Sequence, residues 1–309
     1  MSHSHDDEHA PEPVLQEVAD GVFAYVQLDG SWGLNNTGFF VGTDGVTVVD
    51  TCFTERRSRA FVDAIRSVTD TRLRTLVNTH HHGDHTHGNW LLPDATIIGH
   101  DRCREEVISG GHAAKGLFPG VDWGDIPVTP PFVTFADRLN LFVDDLRIDL
   151  QFQGPAHTTN DVVAWVPERR LLFAGDLVFN GGTPFVVMGS VAGSIAAVQR
   201  LQSLGAETIV PGHGAVCGPE ILEDQLDYLH FVQTLAGEVV SSGSSVLDVA
   251  RGTDLGRFAE WHDTERLVGN LHRAVNEHHG LEPGGQMDIL GPITEMIEYN
   301  GGQPLRCLA

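Results

Sequence analysis

The feature that most restricts this chain is the run Thr79-His80-His81-His82-Gly83-Asp84-His85, placed directly after the apolar stretch Leu73 to Val77. That stretch reads as a short buried strand. A surface histidine run needs neither a strand before it nor an interleaved Gly and Asp, and this one has both. On a loop leaving a strand, alternating side chains point to one side. His80 and His82 can therefore grip one ion while Asp84 and His85 reach a neighbouring one. Nitrogen and oxygen ligands without thiolate suit zinc, and equally iron or manganese. Whatever the fold, it has to bring further ligands to the end of that strand.

Three later residues can supply them. His157 lies in Gly154-Pro155-Ala156-His157-Thr158, Asp176 closes Leu172-Phe173-Ala174-Gly175-Asp176, and His213 sits within Pro211-Gly212-His213-Gly214. Each is expected at the C-terminal end of a strand, where loops collect on one rim. The two halves of the chain also echo each other. Val48-Val49-Asp50 precedes a helix over 55–68 and a strand ending in Asn78-Thr79-His80. Ala174-Gly175-Asp176 precedes a helix over 194–203 and a strand over 207–210 leading to His213. Further strands are expected at 22–27, 37–42, 46–49, 139–143, 146–152, 162–166 and 171–174, from their Val, Phe, Tyr and Ile content. Two such halves pack as two sheets face to face with helices on both outer faces.

The chain of 309 residues is long enough to bury its core without staples. Three regions are expected: a disordered tail over 1–13, a core carrying the site over 14–218, and helices only over 219–309. In the last region Leu222, Leu226, Leu229 and Val232 form one apolar stripe, and Leu267, Leu271 and Val275 form another. These helices are expected to cap the site, form a homodimer surface or cover the core. The net charge of −23 repels phosphate backbones, so nucleic acid is not an expected partner. No apolar run approaches the roughly 20 residues of a membrane helix, and no signal-like stretch opens the sequence, so a cytoplasmic location is expected. Four cysteines lie far apart with no C-x-x-C pair and read as inert thiols. A G-x-S-x-G elbow, a P-loop and a true G-x-G-x-x-G are all missing, which removes the main support for serine-hydrolase and nucleotide-binding readings.

Together these motifs resemble the metallo-β-lactamase superfamily. The resemblance implies a four-layer αββα sandwich with a metal site on one rim. It places His80, His82 and His157 on a first metal, Asp84, His85 and His213 on a second, and Asp176 between the two. Asp50 matches the family's aspartate that supports the metal loop, whereas His81, His87 and His100 match no ligand position. Two Zn2+ ions are the implied cofactors, with iron or manganese as alternatives. A metal-held water that ionises near neutrality then attacks an acyl carbonyl, with Asp84 and Asp176 as the catalytic carboxylates. Asp176 stands where the best-known β-lactamases have cysteine, which argues against antibiotic hydrolysis.

A finer likeness covers about Val14 to Ala309. It is to the metallo-β-lactamase-fold second-ring cyclases of bacterial aromatic polyketide pathways. It rests on Gly30-Ser31-Trp32, Asn35-Asn36-Thr37-Gly38, Val121-Asp122-Trp123-Gly124, Thr183-Pro184-Phe185, Gly189-Ser190-Val191-Ala192-Gly193, Asn270-Leu271-His272-Arg273-Ala274, and the stretch from Tyr299 to Ala309. It implies a small-molecule or carrier-protein-bound acyl substrate and a cyclase or thioesterase reaction. The alternatives are a general ester, thioester or lactone hydrolase, an iron-dependent redox enzyme with the same ligands, and a metal-storage or scaffold protein.

Overall fold

The computed structural model describes residues 10–309. Its first sheet is laid down in chain order: β1 (Val14–Ala19), β2 (Val22–Val26), β3 (Thr37–Val41), β4 (Val46–Val49), β5 (Leu73–Val77), β6 (Thr96–His100) and β7 (Val133–Phe135). Helix α1 (Glu55–Val68) joins β4 to β5, the short α2 (Gly83–Thr86) follows β5, and α3 (Asp101–Gly110) follows β6. The second sheet has the order β12-β11-β10-β9-β8, built from β8 (Arg138–Val143), β9 (Leu146–Phe152), β10 (Val162–Val166), β11 (Leu171–Phe179) and β12 (Thr208–His213). Helix α4 (Val191–Leu204) joins β11 to β12, and α5 (Ile221–Ser242), α6 (Val246–Gly252), α7 (Arg266–His278) and α8 (Leu290–Tyr299) complete the chain.

Strand alternation explains the layering. Successive side chains on a strand face opposite ways, so Phe39 and Phe40 on β3 serve different cores. Phe40 packs between the sheets with Leu150, Val162 and Phe173, while Phe39 faces outward to Phe61 and Ile65 of α1. On β10, Val162, Ala164 and Val166 point into the same inter-sheet core, and Val163 and Trp165 point out toward helices. Both sheets are thus apolar on both faces and need a helical layer on each side. The result is the expected αββα sandwich.

Local signals set the helix ends. The Thr54 hydroxyl accepts from the Arg57 N–H at 3.3 Å and caps α1. Ser190 does the same for α4, accepting from Gly193 N–H at 2.8 Å, and Gly205 ends that helix with φ 69°. Leu222, Leu229 and Val232 of α5, with Leu267 and Leu271 of α7, share one buried cluster with Val163 and Leu172 of the second sheet. Among the described residues, 219–309 contain no strand. None of the described helices is long and apolar enough to cross a membrane.

The echo between halves appears as two parallel strand pairs. β4 runs parallel to β5 with Val49 opposite Val77, and β11 parallel to β12 with Phe173 opposite Val210. Two placements differ from expectation. β11 runs on to Phe179, so Asp176 lies within the strand instead of ending it. β9 stops at Phe152, so His157 sits in the loop toward β10 instead of on a strand end. The sequence reading also missed β1, β6, β7 and α3. β7 has only three residues, and pairing with β6 makes it a strand, not its own pattern. Most of the expected disordered tail, residues 1–9, lies outside the described residues, and residues 10–13 carry no regular structure.

Candidate metal centre

Seven side chains from four stretches of the chain meet at one rim. His80, His82, His157 and Asp176 form one set, and Asp84, His85 and His213 form a second; within each set the ligand atoms lie within 4.8 Å of one another. Asp176 connects the sets. Its Oδ2 lies 3.3 Å from His157 Nε2, 3.8 Å from His80 Nε2 and 3.4 Å from His213 Nε2, and its Oδ1 lies 3.0 Å from His85 Nε2. Asp84 Oδ2 is 3.4 Å from His213 Nε2.

The outward nitrogens of these imidazoles are already committed. His85 Nδ1 donates to Asp50 at 2.8 Å, His213 Nδ1 donates to the Gly30 carbonyl at 3.0 Å, and His157 Nδ1 donates to the Phe185 carbonyl. The Thr79 hydroxyl donates to Asp50 at 2.7 Å and so accepts from His80 Nδ1 at 3.1 Å. Each bond leaves Nε2 facing the centre. His82 is turned the other way, with Nε2 beside the Met188 sulfur and Nδ1 facing His157 Nε2 at 2.9 Å. These two nitrogens belong to the same ligand set. His80 Nε2 is buried without a hydrogen-bond partner, a cost of about 1–3 kcal/mol when nothing binds it. The donor set therefore fits divalent ions, and the orienting partners are those that metal-binding histidines use.

The electrostatics point the same way. Burial depresses His80 and His82 toward the neutral, ligating form. Burial would depress His213 too, but Asp176 and Asp84 push it up to about 9. For Asp176, burial works against ionisation, yet His213 and His85 hold its carboxyl well below the ordinary range. The aspartates thus draw positive charge into the pocket, as protons on imidazole or as a metal ion that displaces them.

Asp50 follows β4 with a left-handed backbone (φ 60°), which Asp tolerates better than most residues. Its carboxylate accepts from Thr79 N–H and the Thr79 hydroxyl, both at 2.7 Å, as well as from His85. Gly212 has a steric reason to be glycine, because a Cβ there would run into the Asp176 carboxylate. The three other histidines have different work. Asn160 donates to His81 Nδ1 at 2.9 Å, His87 donates to the Phe53 carbonyl at 3.1 Å, and His100 accepts from Arg102 N–H to cap α3. Sequence reasoning missed Asp161, which is buried and accepts from Ala156 N–H, Thr158 N–H and the Thr158 hydroxyl, fixing the His157 loop. The Thr158-Thr159-Asn160-Asp161 cluster, a turn-forming composition, was the available signal.

A cleft of about 380 Å³ opens over the two ligand sets. One wall comes from the end of α3 and from Phe118; the opposite wall is Ile293 and Met296 of α8 with Leu305. Trp32 stands between them. It is held by Glu265, which accepts from its indole at 2.8 Å, by the Arg266 guanidinium 3.9 Å over its ring, and by Phe185 edge-on at 5.1 Å. Among the described lining residues, Arg266 is the one arginine or lysine. Its terminal nitrogens already serve the Thr183 carbonyl at 2.9 Å and Asp263 at 2.8 Å. Trp32, Phe53, Phe118, Phe179 and Phe185 make much of the remaining lining aromatic.

The sequence model of one family, described as the metallo-beta-lactamase superfamily, matches residues 30–213. The 2,4-dinitroanisole O-demethylase subunit alpha of Nocardioides sp. (strain JS1661) is 29% identical over 208 residues, which cover 65% of this chain and 56% of that protein. The hydroxyacylglutathione hydrolase of Rhodospirillum rubrum is 29% identical over 153 residues, covering 50% of each. The chain thus spans about half the length of these relatives. Among solved structures, a metallo-beta-lactamase from Pontibacter korlensis superposes with TM-score 0.60 at 18% identity, over 71% of this chain and 99% of that one. That likeness shows the fold.

Proposed function

The chain belongs to the metallo-beta-lactamase superfamily, and from that premise we propose that it is a di-zinc acyl hydrolase acting on thioesters with a bulky, ring-bearing acyl group. The observation that carries the reading is the shared Asp176 between two ligand sets, at the floor of an apolar cleft. When bound, two divalent ions supply a nucleophile derived from water at neutral pH and an electrophile for the acyl oxygen. Asp176 holds the two sets together, and Asp84 with His85 and His213 completes the second. Trp32, Phe118 and Phe185 receive the acyl body and keep water from it. The hydroxyacylglutathione hydrolase relative supports thioester chemistry. The cleft offers no free arginine or lysine among its described lining residues to meet glutathione carboxylates, so a different thiol carrier, such as a carrier-protein arm, is the better fit.

The aromatic cleft favours a second reaction in the same site. A poly-β-keto chain bound there presents an enolisable carbon and an acyl oxygen to the same centre, so ring closure by aldol condensation and thioester cleavage can share it. The polyketide-cyclase likeness belongs to this reading, as does action inside the cell on carrier-bound acyl chains.

The test is a panel on the zinc-loaded protein: an aryl thioester, an acetyl thioester, a carrier-bound poly-β-keto mimic, and a penicillin. Turnover of the aryl thioester or cyclisation of the mimic is expected, with penicillin at least about a hundredfold slower in kcat/KM, a difference of roughly 2.7 kcal/mol. Efficient penicillin turnover without thioester or cyclisation activity overturns the assignment.

A further inference from the structure

A buried polar chain leaves the metal centre through residues that the centre itself does not use. Arg57, at the start of α1, is buried, and none of its hydrogen bonds given by the described residues goes to a carboxylate. One terminal nitrogen donates to Gln27 Oε1 at 2.8 Å and the other to the Leu308 carbonyl at 2.7 Å. Gln27 is fully buried; its amide donates to the Asn35 carbonyl at 2.6 Å, and its N–H donates to Asn36 Oδ1 at 3.2 Å.

From there the chain divides. Asn35 donates to the Thr51 carbonyl at 2.8 Å, and Thr51 N–H donates to the His85 carbonyl at 3.0 Å. Asn36 donates through its side chain to the carbonyls of Pro211 at 2.9 Å and Gly214 at 2.7 Å, and through its N–H to Gly212 at 2.6 Å. Those three carbonyls flank His213. The path thus begins at Leu308 and ends on the main chain that carries His85 and His213, two members of one ligand set. The segment it holds matters to the cleft as well. Leu305 is part of the wall, and Cys307 lies so close to Gly33 that a Cβ there would come within 2.9 Å of its sulfur.

We propose that Arg57 is a positioning residue that couples the seating of residues 303–309, and with it the Leu305 wall of the cleft, to the His85 and His213 half of the metal centre. A buried cation with no carboxylate partner is expensive to keep. A planar guanidinium is the side chain that can bridge a side-chain amide and a main-chain carbonyl from one rigid fork, whereas a simple structural plug needs no charge. Arg57 touches neither ligand atoms nor cleft, so it acts through Gln27, Asn35 and Asn36. The coupling rests on the two-ion reading of the centre and not on the identity of the substrate.

The experiment uses the full chain loaded with cobalt, as Arg57→Met, Arg57→Lys and Gln27→Met beside the parent. Three readouts are followed: the cobalt absorption spectrum, the rate at which a chelator removes each ion, and amide exchange over 303–309. In Arg57→Met the faster-released ion is expected to leave about tenfold sooner, the low end for residues behind the ligands. The spectrum changes, exchange over 303–309 rises, KM rises more than kcat falls, and Arg57→Lys recovers part of each. Gln27→Met, which cuts the path beyond Arg57, is expected to speed ion release as well, and it carries the test if Arg57→Met does not fold. Parent-like release and spectrum in the folded variants, whatever the loss in stability, overturn the proposal. Fewer than two bound cobalt ions in the parent overturn it together with the two-ion reading. A parent with these couplings but no activity on any acyl substrate overturns the hydrolase reading alone.

Discussion

Asp176→Ala is expected to lower turnover of the best acyl substrate by at least about a thousandfold, close to 4 kcal/mol of transition-state stabilisation. It should also reduce bound metal from two equivalents to one or fewer. The carboxylate reaches both ligand sets, lying 3.0–3.8 Å from four imidazole nitrogens. Alanine removes a member of the first set and a carboxylate that also neighbours His85 and His213 of the second. It also removes a negative charge from a pocket lined by five imidazoles. A conservative control is Asp176→Asn, which keeps the shape but not the charge and should retain one ion more firmly than alanine does. Elemental analysis and steady-state kinetics on the same preparations check both halves. Two tightly held ions in Asp176→Ala would remove the bridging role.

The second large effect is expected at Asp50, which reaches no substrate. Its carboxylate is the acceptor for Thr79 N–H, the Thr79 hydroxyl and His85 Nδ1, all buried. Asp50→Ala strands those donors, at about 1–3 kcal/mol each, and puts alanine on a left-handed backbone at φ 60°, where it is disfavoured. The sum is a loss of roughly 3 kcal/mol or more, a fall in Tm of about 5 °C or more for a chain this size. Metal affinity should drop about 10–100-fold, since the Thr79 turn and the His85 ring both lose their anchor. Asp50→Asn keeps one acceptor oxygen and should fall between the parent and alanine. A melting curve and a chelator competition decide it; a variant with parental Tm and parental affinity contradicts the supporting role.

Much of this centre was legible because its ligands sit beside strong local patterns. The apolar run 73–77 announces β5, and an alternating His-x-His-x-Asp-His after it has few other uses. Asp50 and Asp176 were found by the echo between halves, which survives as the parallel pairs β4/β5 and β11/β12. His157 was found by its chemistry but placed on the wrong element, because the turn that carries it is fixed by Asp161 and not by a strand. Asn35 and Asn36 stood out only through the finer family likeness, and nothing in the sequence linked them to Gln27 or Arg57. The Asn36 amide bonds to carbonyls 175 and 178 residues away, which leaves nothing periodic in the sequence. The cleft was equally hidden. Its walls come from α3, the Phe118 loop, α8 and Leu305, and apolar residues there read only as helical stripes until the fold brings them together.

The claim that two ions work as one centre is tested most directly by titrating metal-free protein with Zn2+ while following heat and acyl-thioester turnover together. The structure predicts two equivalents bound per chain, with activity staying low through the first and rising to its maximum only as the second site fills. Full activity with one equivalent, or in metal-free protein, would contradict it.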